Sequence, residues 1–143
     1  MCDVSAVAVI DVELGEAPVD DVIQCEDRIV SQWREVSSDE RHQLRERVDE
    51  ILRPVGLQTR LLVVERANSI ALYFICLTLA ALMGLRDQWR TGVLRRIVNS
   101  LFRFLSGADL TVRVKKFTWP TTDYERSLEF FSSLQGKPAI FEY

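Results

Sequence analysis

Histidine is almost missing from this chain: His42 is the only one among 143 residues, and there are only three cysteines. Cys2, Cys25 and Cys76 are odd in number and far apart, so the sequence carries neither a disulfide framework nor a Cys/His set with structural-zinc spacing. Such thiols fit a reducing compartment, which points to the cytoplasm, with the nucleus also open. Six glycines and four prolines exclude collagen-like segments and long flexible linkers. Residues 1–15 have no basic start, and Asp3, Asp11 and Glu13 punctuate them, so no secretory signal is expected. The longest uncharged stretch, residues 67–85, has 19 positions, close to the roughly 20 a membrane helix needs. Arg66 and Arg86 flank it as snorkelling anchors would, but Asn68, Ser69, Thr78 and Gly84 interrupt it. Its composition also switches, from β-branched and aromatic residues over 70–76 to helix formers over 79–83. The segment therefore predicts a buried strand followed by a buried helix, not a span.

What the chain does contain is an ordinary globular mixture, 48% hydrophobic and 27% charged. Its length suits one domain, which buries roughly 70% of its extended surface without staples. The net charge of −3 is unevenly spread, with 14 acidic and 6 basic side chains in residues 1–56 and 7 acidic and 12 basic in residues 57–143. The basic second half is either a solvated surface or one that meets an acidic partner. A duplex-binding protein carries a stronger positive balance, which argues against nucleic acid.

Periodicity sets out the elements. Residues 5–14 alternate as a strand, with Ala8, Ile10, Val12 and Leu14 on one side and Val7, Val9, Asp11 and Glu13 on the other. A helix over 19–36 carries a stripe of Val22, Ile23, Ile29, Val30 and Trp33. A capping box at residues 37–40 starts a second helix, which Pro54 and Gly56 stop. Residues 60–65 and 70–77 read as a hairpin, both of whose alternate sets are apolar, so the outward set stays open; Tyr73 is a candidate for it. Helices over 79–90 and 93–106 meet at Gly92, and Gly107 is a candidate cap. Residues 110–117 form the last strand, with Leu110, Val112 and Val114 inward and Thr111, Arg113, Lys115 and Phe117 outward. A final helix follows Pro120, aligns Tyr124, Leu128, Phe131 and Leu134, and ends at Gly136, which leaves a tail over 137–143.

This order is the split βαβ arrangement. Right-handed crossovers put strands one and three in the centre and the helices on a single face. The expected fold is thus α+β: an α/β sandwich with a four-stranded antiparallel, ferredoxin-like sheet, filling residues 1–136 as one domain. Its open face would present Val7, Val9, Asp11, Tyr73, Arg113, Lys115 and Phe117.

No constellation for catalysis stands out. The lone histidine has no second histidine to work with, the glycines form no phosphate loop, and acidic pairs such as Asp20–Asp21 fall on polar helix faces. No enzymatic activity, cofactor or metal is expected. An open sheet can stack nucleic-acid bases, but strand one offers only Val7 and Val9 there. The alternative function is nucleic-acid binding through Arg113, Lys115, Lys116 and the helix bearing Arg95, Arg96 and Arg103; such lysines equally keep an edge strand from aggregating.

Two stretches carry a resemblance. Trp89-x-x-Gly92-x-Leu94 is followed by Val98 and Phe102 at helical spacing, and Leu110-Thr-Val112-Arg-Val114 leads through Thr122-Asp123-Tyr124-Glu125 into a Leu-bearing helix. Together they resemble the TRADD-N-like family, the N-terminal domains of TNF-receptor-associated death-domain adaptors. The chain is also similar to the C-terminal domain of a death-effector-domain-containing DNA-binding protein. The resemblance covers residues 5–134. It implies an α/β sandwich with no catalysis and a scaffolding role in death-receptor or innate-immune signalling. The implied partner is a TNF-receptor-associated-factor-like or death-domain-family protein, docked on the open sheet and neighbouring loops. Family aromatics on the first strand fall on Val7 and Val9. The edge strands also leave room for a homo-oligomer.

Overall fold

A computed structural model describes residues 6–15, 18–37, 42–67, 69–107 and 113–140, and the side chains of these except at 37, 42, 113 and 134–140. In chain order the elements are β1 (Ala6–Gly15), α1 (Val19–Ser37), α2 (His42–Leu52) with a 3-10 turn (Arg53–Val55), β2 (Thr59–Arg66), β3 (Ile70–Cys76), α3 (Leu79–Thr91), α4 (Val93–Ser106), β4 (Arg113–Thr118) and α5 (Thr121–Ile140). The strands make one antiparallel sheet in the order β2-β3-β1-β4, which puts strands one and three in the centre. The capping box at 37–40 and the first positions of the last strand, Leu110 to Val112, lie outside the described residues.

The alternation read along β1 sets up the core. Ala8, Ile10 and Val12 are fully enclosed, and on β3 their neighbours Ile70, Leu72 and Phe74 are too. Facing them are Ile29, Val30 and Trp33 of α1, Leu82 and Leu85 of α3, and Leu94, Val98, Leu101 and Phe102 of α4. Each of the larger side chains among them contributes roughly 1.5–3 kcal/mol on burial. Cys25 and Cys76 belong to this core as free thiols, as expected of small apolar residues.

The uncharged stretch divides into strand and helix as predicted: β3 ends at Cys76, and Thr78 caps α3 by accepting a hydrogen bond from the Ala81 amide at 3.0 Å. The helix is not the buried one expected: Leu82 and Leu85 are enclosed, but Met83 is 52% exposed, because only one side of α3 meets the core. No helix among the described residues is long and apolar enough to cross a membrane. The flanking arginines are not anchors. Arg66 pairs with Glu26 and Asp27 of α1, and Arg86 donates to the Trp119 carbonyl at 2.7 Å. Its guanidinium carbon lies 4.2, 5.1 and 4.8 Å from the rings of Trp89, Trp119 and Tyr124. This cationic joint seats the start of α5 on α3. Between α3 and α4 the chain turns at Gly92, whose φ of +89° is the left-handed conformation a side chain disfavours.

Two further expectations need correction. The final helix does not end at Gly136 but runs on to Ile140, because glycine permits a helix to stop without forcing it. The outward set on the last strand is also shifted. β4 meets β1 with a bulge, so Glu13 pairs with Lys116 and Leu14 with Val114, while Lys115 is the extra residue. A bulge inverts the alternation beyond it. Phe117 therefore lies opposite Val12 on the helix side, half-buried against the core, instead of facing out.

Candidate protein-interaction surface

The outer face of the sheet can be built rung by rung from the strand register. Val7, Ile75 and Arg60 share one rung, Val9, Tyr73 and Val63 the next, and Asp11, Ala71 and Glu65 the third. This settles the outward set of the hairpin: Tyr73 and Ile75 on β3, Arg60, Val63 and Glu65 on β2. Phe74, Leu72, Leu61 and Val64 turn inward.

The face is mostly apolar at one end, with Arg60 at its edge, and acidic at the other. Val7 is 49% exposed and Val63 39%, with Val9, Tyr73 and Ile75 half-buried between them. Leu62, 49% exposed, extends the strip at the edge, where β2 itself bulges between Leu61 and Val63. Scattered exposed aliphatics are ordinary; these lie next to one another across three strands. At the acidic end, Asp11 and Glu65 flank Ala71, and the Glu65 carboxylate accepts a hydrogen bond from the Tyr73 phenol, raising its pKa above the ordinary 10.0.

Of the residues read from sequence, Val7, Val9, Asp11 and Tyr73 come together on this face. Lys115 sits apart at the β4 bulge, crossing over Gly15, with its ammonium 3.9 Å from the Glu13 carboxylate. Arg113 pairs with Gly15 at the far end of the sheet, and its side chain is outside the described set. Phe117 is on the opposite side, where its carbonyl accepts a hydrogen bond from the Trp89 indole at 3.1 Å. Ile75, Leu62, Val63, Arg60 and Glu65 went unread as site residues. The signal for Ile75, Leu62 and Val63 was the apolar content of both alternate sets of the hairpin strands, which one buried face alone does not require; Arg60 and Glu65 carried none.

The basic residues of the nucleic-acid alternative fall into two sets, Arg95 with Lys115 and Lys116 at β4, and Arg96 with Arg103 along α4. Arg95 reaches from α4 to the carbonyls of Val114 and Lys115 at 2.6 and 3.3 Å, tying β4 down. Arg96 and Arg103 are exposed on α4, apart from the sheet's outer face. Among the described residues no group of three His, Cys, Asp or Glu side chains is placed to hold a metal ion.

A cleft of about 780 Å³ lies at the other end of β1, between Val19 and Ile23 of α1 and Lys115 and Lys116 of β4. Glu26 lines it and is almost fully buried, but Arg66 and the Ser69 hydroxyl both engage its carboxylate. Those contacts pin the β2–β3 turn to α1, which is a structural role. Compared with known protein families, curated proteins and solved structures, the chain has no match.

Proposed function

We propose that this chain is a non-catalytic interaction domain that docks a signalling protein on the outer face of its sheet, acting in the cytoplasm. The observation that carries this is the exposed apolar strip of Val7, Val9, Tyr73, Ile75 and Val63 across three neighbouring strands. Water-facing apolar side chains in register gain by burial against a partner, at roughly 25 cal/mol per Å². Asp11 and Glu65 at one end of the strip favour a partner whose apolar contact is bordered by a lysine or arginine. The resemblance to TRADD-N-like domains supplies the partner class, a TNF-receptor-associated-factor-like or death-domain-family protein, and the setting, death-receptor or innate-immune signalling.

The test is titration calorimetry of the chain against the C-terminal domain of a TNF-receptor-associated factor. The wild type binds, and Val7→Asp with Val9→Asp loses binding while its circular dichroism is unchanged. Equal affinity in the double variant overturns the surface, and absence of binding by the wild type overturns the partner class.

A further inference from the structure

We infer that β2 pairs with β2 of a second copy of this chain, antiparallel about a two-fold axis through the bulge at Leu62–Val63. This rests on the sheet's edge and does not depend on the reading of its outer face.

β2 is a terminal strand that pairs with β3 alone, so its other edge carries a row of backbone N–H and C=O groups without a strand partner. In an antiparallel self-pair, the residue a given distance before the axis meets the residue the same distance after it, and opposed residues must face the same side. An eight-residue strand without a bulge fails this condition about its midpoint, because its two halves point to opposite faces.

The bulge repairs the mismatch. Thr59 and Leu61 are buried on the helix side and Arg60 is outward; Leu62 and Val63 are both exposed; Val64 is buried, Glu65 is outward, and Arg66 reaches Glu26 and Asp27 on the helix side. Counted as one outward unit, the bulge is the centre of a pattern that reads the same in both directions. Leu61 then meets the second copy's Val64, and the two exposed Leu62–Val63 units meet each other on the axis.

Charge follows the same symmetry. Arg60 stands one position inside the start of the strand and Glu65 one position inside its end, so the axis sets each Arg60 beside the other copy's Glu65. Among the described residues no carboxylate forms an ion pair with Arg60. Opposite charges at the two ends of one edge match a second copy running the other way and oppose one running the same way. The other edge differs: β4 carries Lys115 and Lys116 at its middle, so a self-pair there would set lysine near lysine.

Sedimentation of the full 143-residue chain tests the pairing. The wild type forms a concentration-dependent dimer. R60E alone and E65R alone are monomers, since each puts like charges in opposition at both crossed positions. Mixed in equal amounts they sediment as a dimer, because every Glu in one chain then meets an Arg in the other. Leu62→Asp, on the axis, also loses the dimer with unchanged circular dichroism and gives the answer should a charge variant fold poorly. A wild type that stays monomeric to its solubility limit overturns the proposal. So do single variants that remain dimeric, a mixture that stays monomeric, or an assembly larger than two.

Discussion

On β3, side chains one position apart have opposite fates. Phe74 and Leu72 are fully enclosed between the sheet and the helices, while Tyr73 and Ile75 stay half-exposed on the outer face. All four are large and three are purely apolar, so hydrophobicity does not separate them. Their phase in the strand does, because the helices cover one side. The inner face is where burial stabilises the fold, and the outer face leaves apolar side chains at the solvent.

That contrast can be broken most strongly from the inside. Phe74→Ala, which empties an enclosed ring position, is expected to cost about 3–5 kcal/mol in urea unfolding. Next in size is a pH effect on Cys76, whose thiol burial pushes up from 9.0 to about 11. The unfolded thiol ionises first, so the stability present below pH 9 is lost as the pH rises toward 11. Chemical denaturation across that range should show a fall of up to about 1.4 kcal/mol per pH unit from this thiol. Burial raises Cys25 in the same direction, and Cys76→Ala should make the slope shallower without removing it. The smallest effect is outside: Val7→Ala, at a site 49% exposed, is expected to change unfolding by no more than about 0.5 kcal/mol. A loss as large as that of Phe74→Ala would mean the outer face is covered.

Much of the framework was legible because it depends on local period. The alternation of β1 held from Ala6 to Leu14, and the change from β-branched to helix-forming residues placed the break between β3 and α3. Gly92 marked a real helix junction because its backbone is left-handed there. Phe117 was misread because a strict alternation from Val114 sends it outward, and an extra residue opposite β1 is invisible until the two strands are aligned. The hairpin strands could not be oriented for a related reason. Their outer residues are nearly as apolar as their inner ones, and only the register with β1 separates them. Arg86 looked like a membrane anchor by its place at the end of an uncharged run, yet it is enclosed by rings from Trp89, Trp119 and Tyr124, two of them more than 30 residues away in sequence.

The sequence by itself determined an α+β chain whose strands alternate, whose helices carry apolar stripes, and whose uncharged run divides into a strand and a helix. These are properties of neighbouring residues, set by the 2.0- and 3.6-residue periods of the backbone. Only the tertiary structure decided which apolar residues remain outside. Register, bulges and the placement of the helix layer arise from contacts between distant segments. Those contacts turned Phe117 inward, left Tyr73 and Ile75 at the outer face, and made the edge of β2 symmetric about Leu62 and Val63.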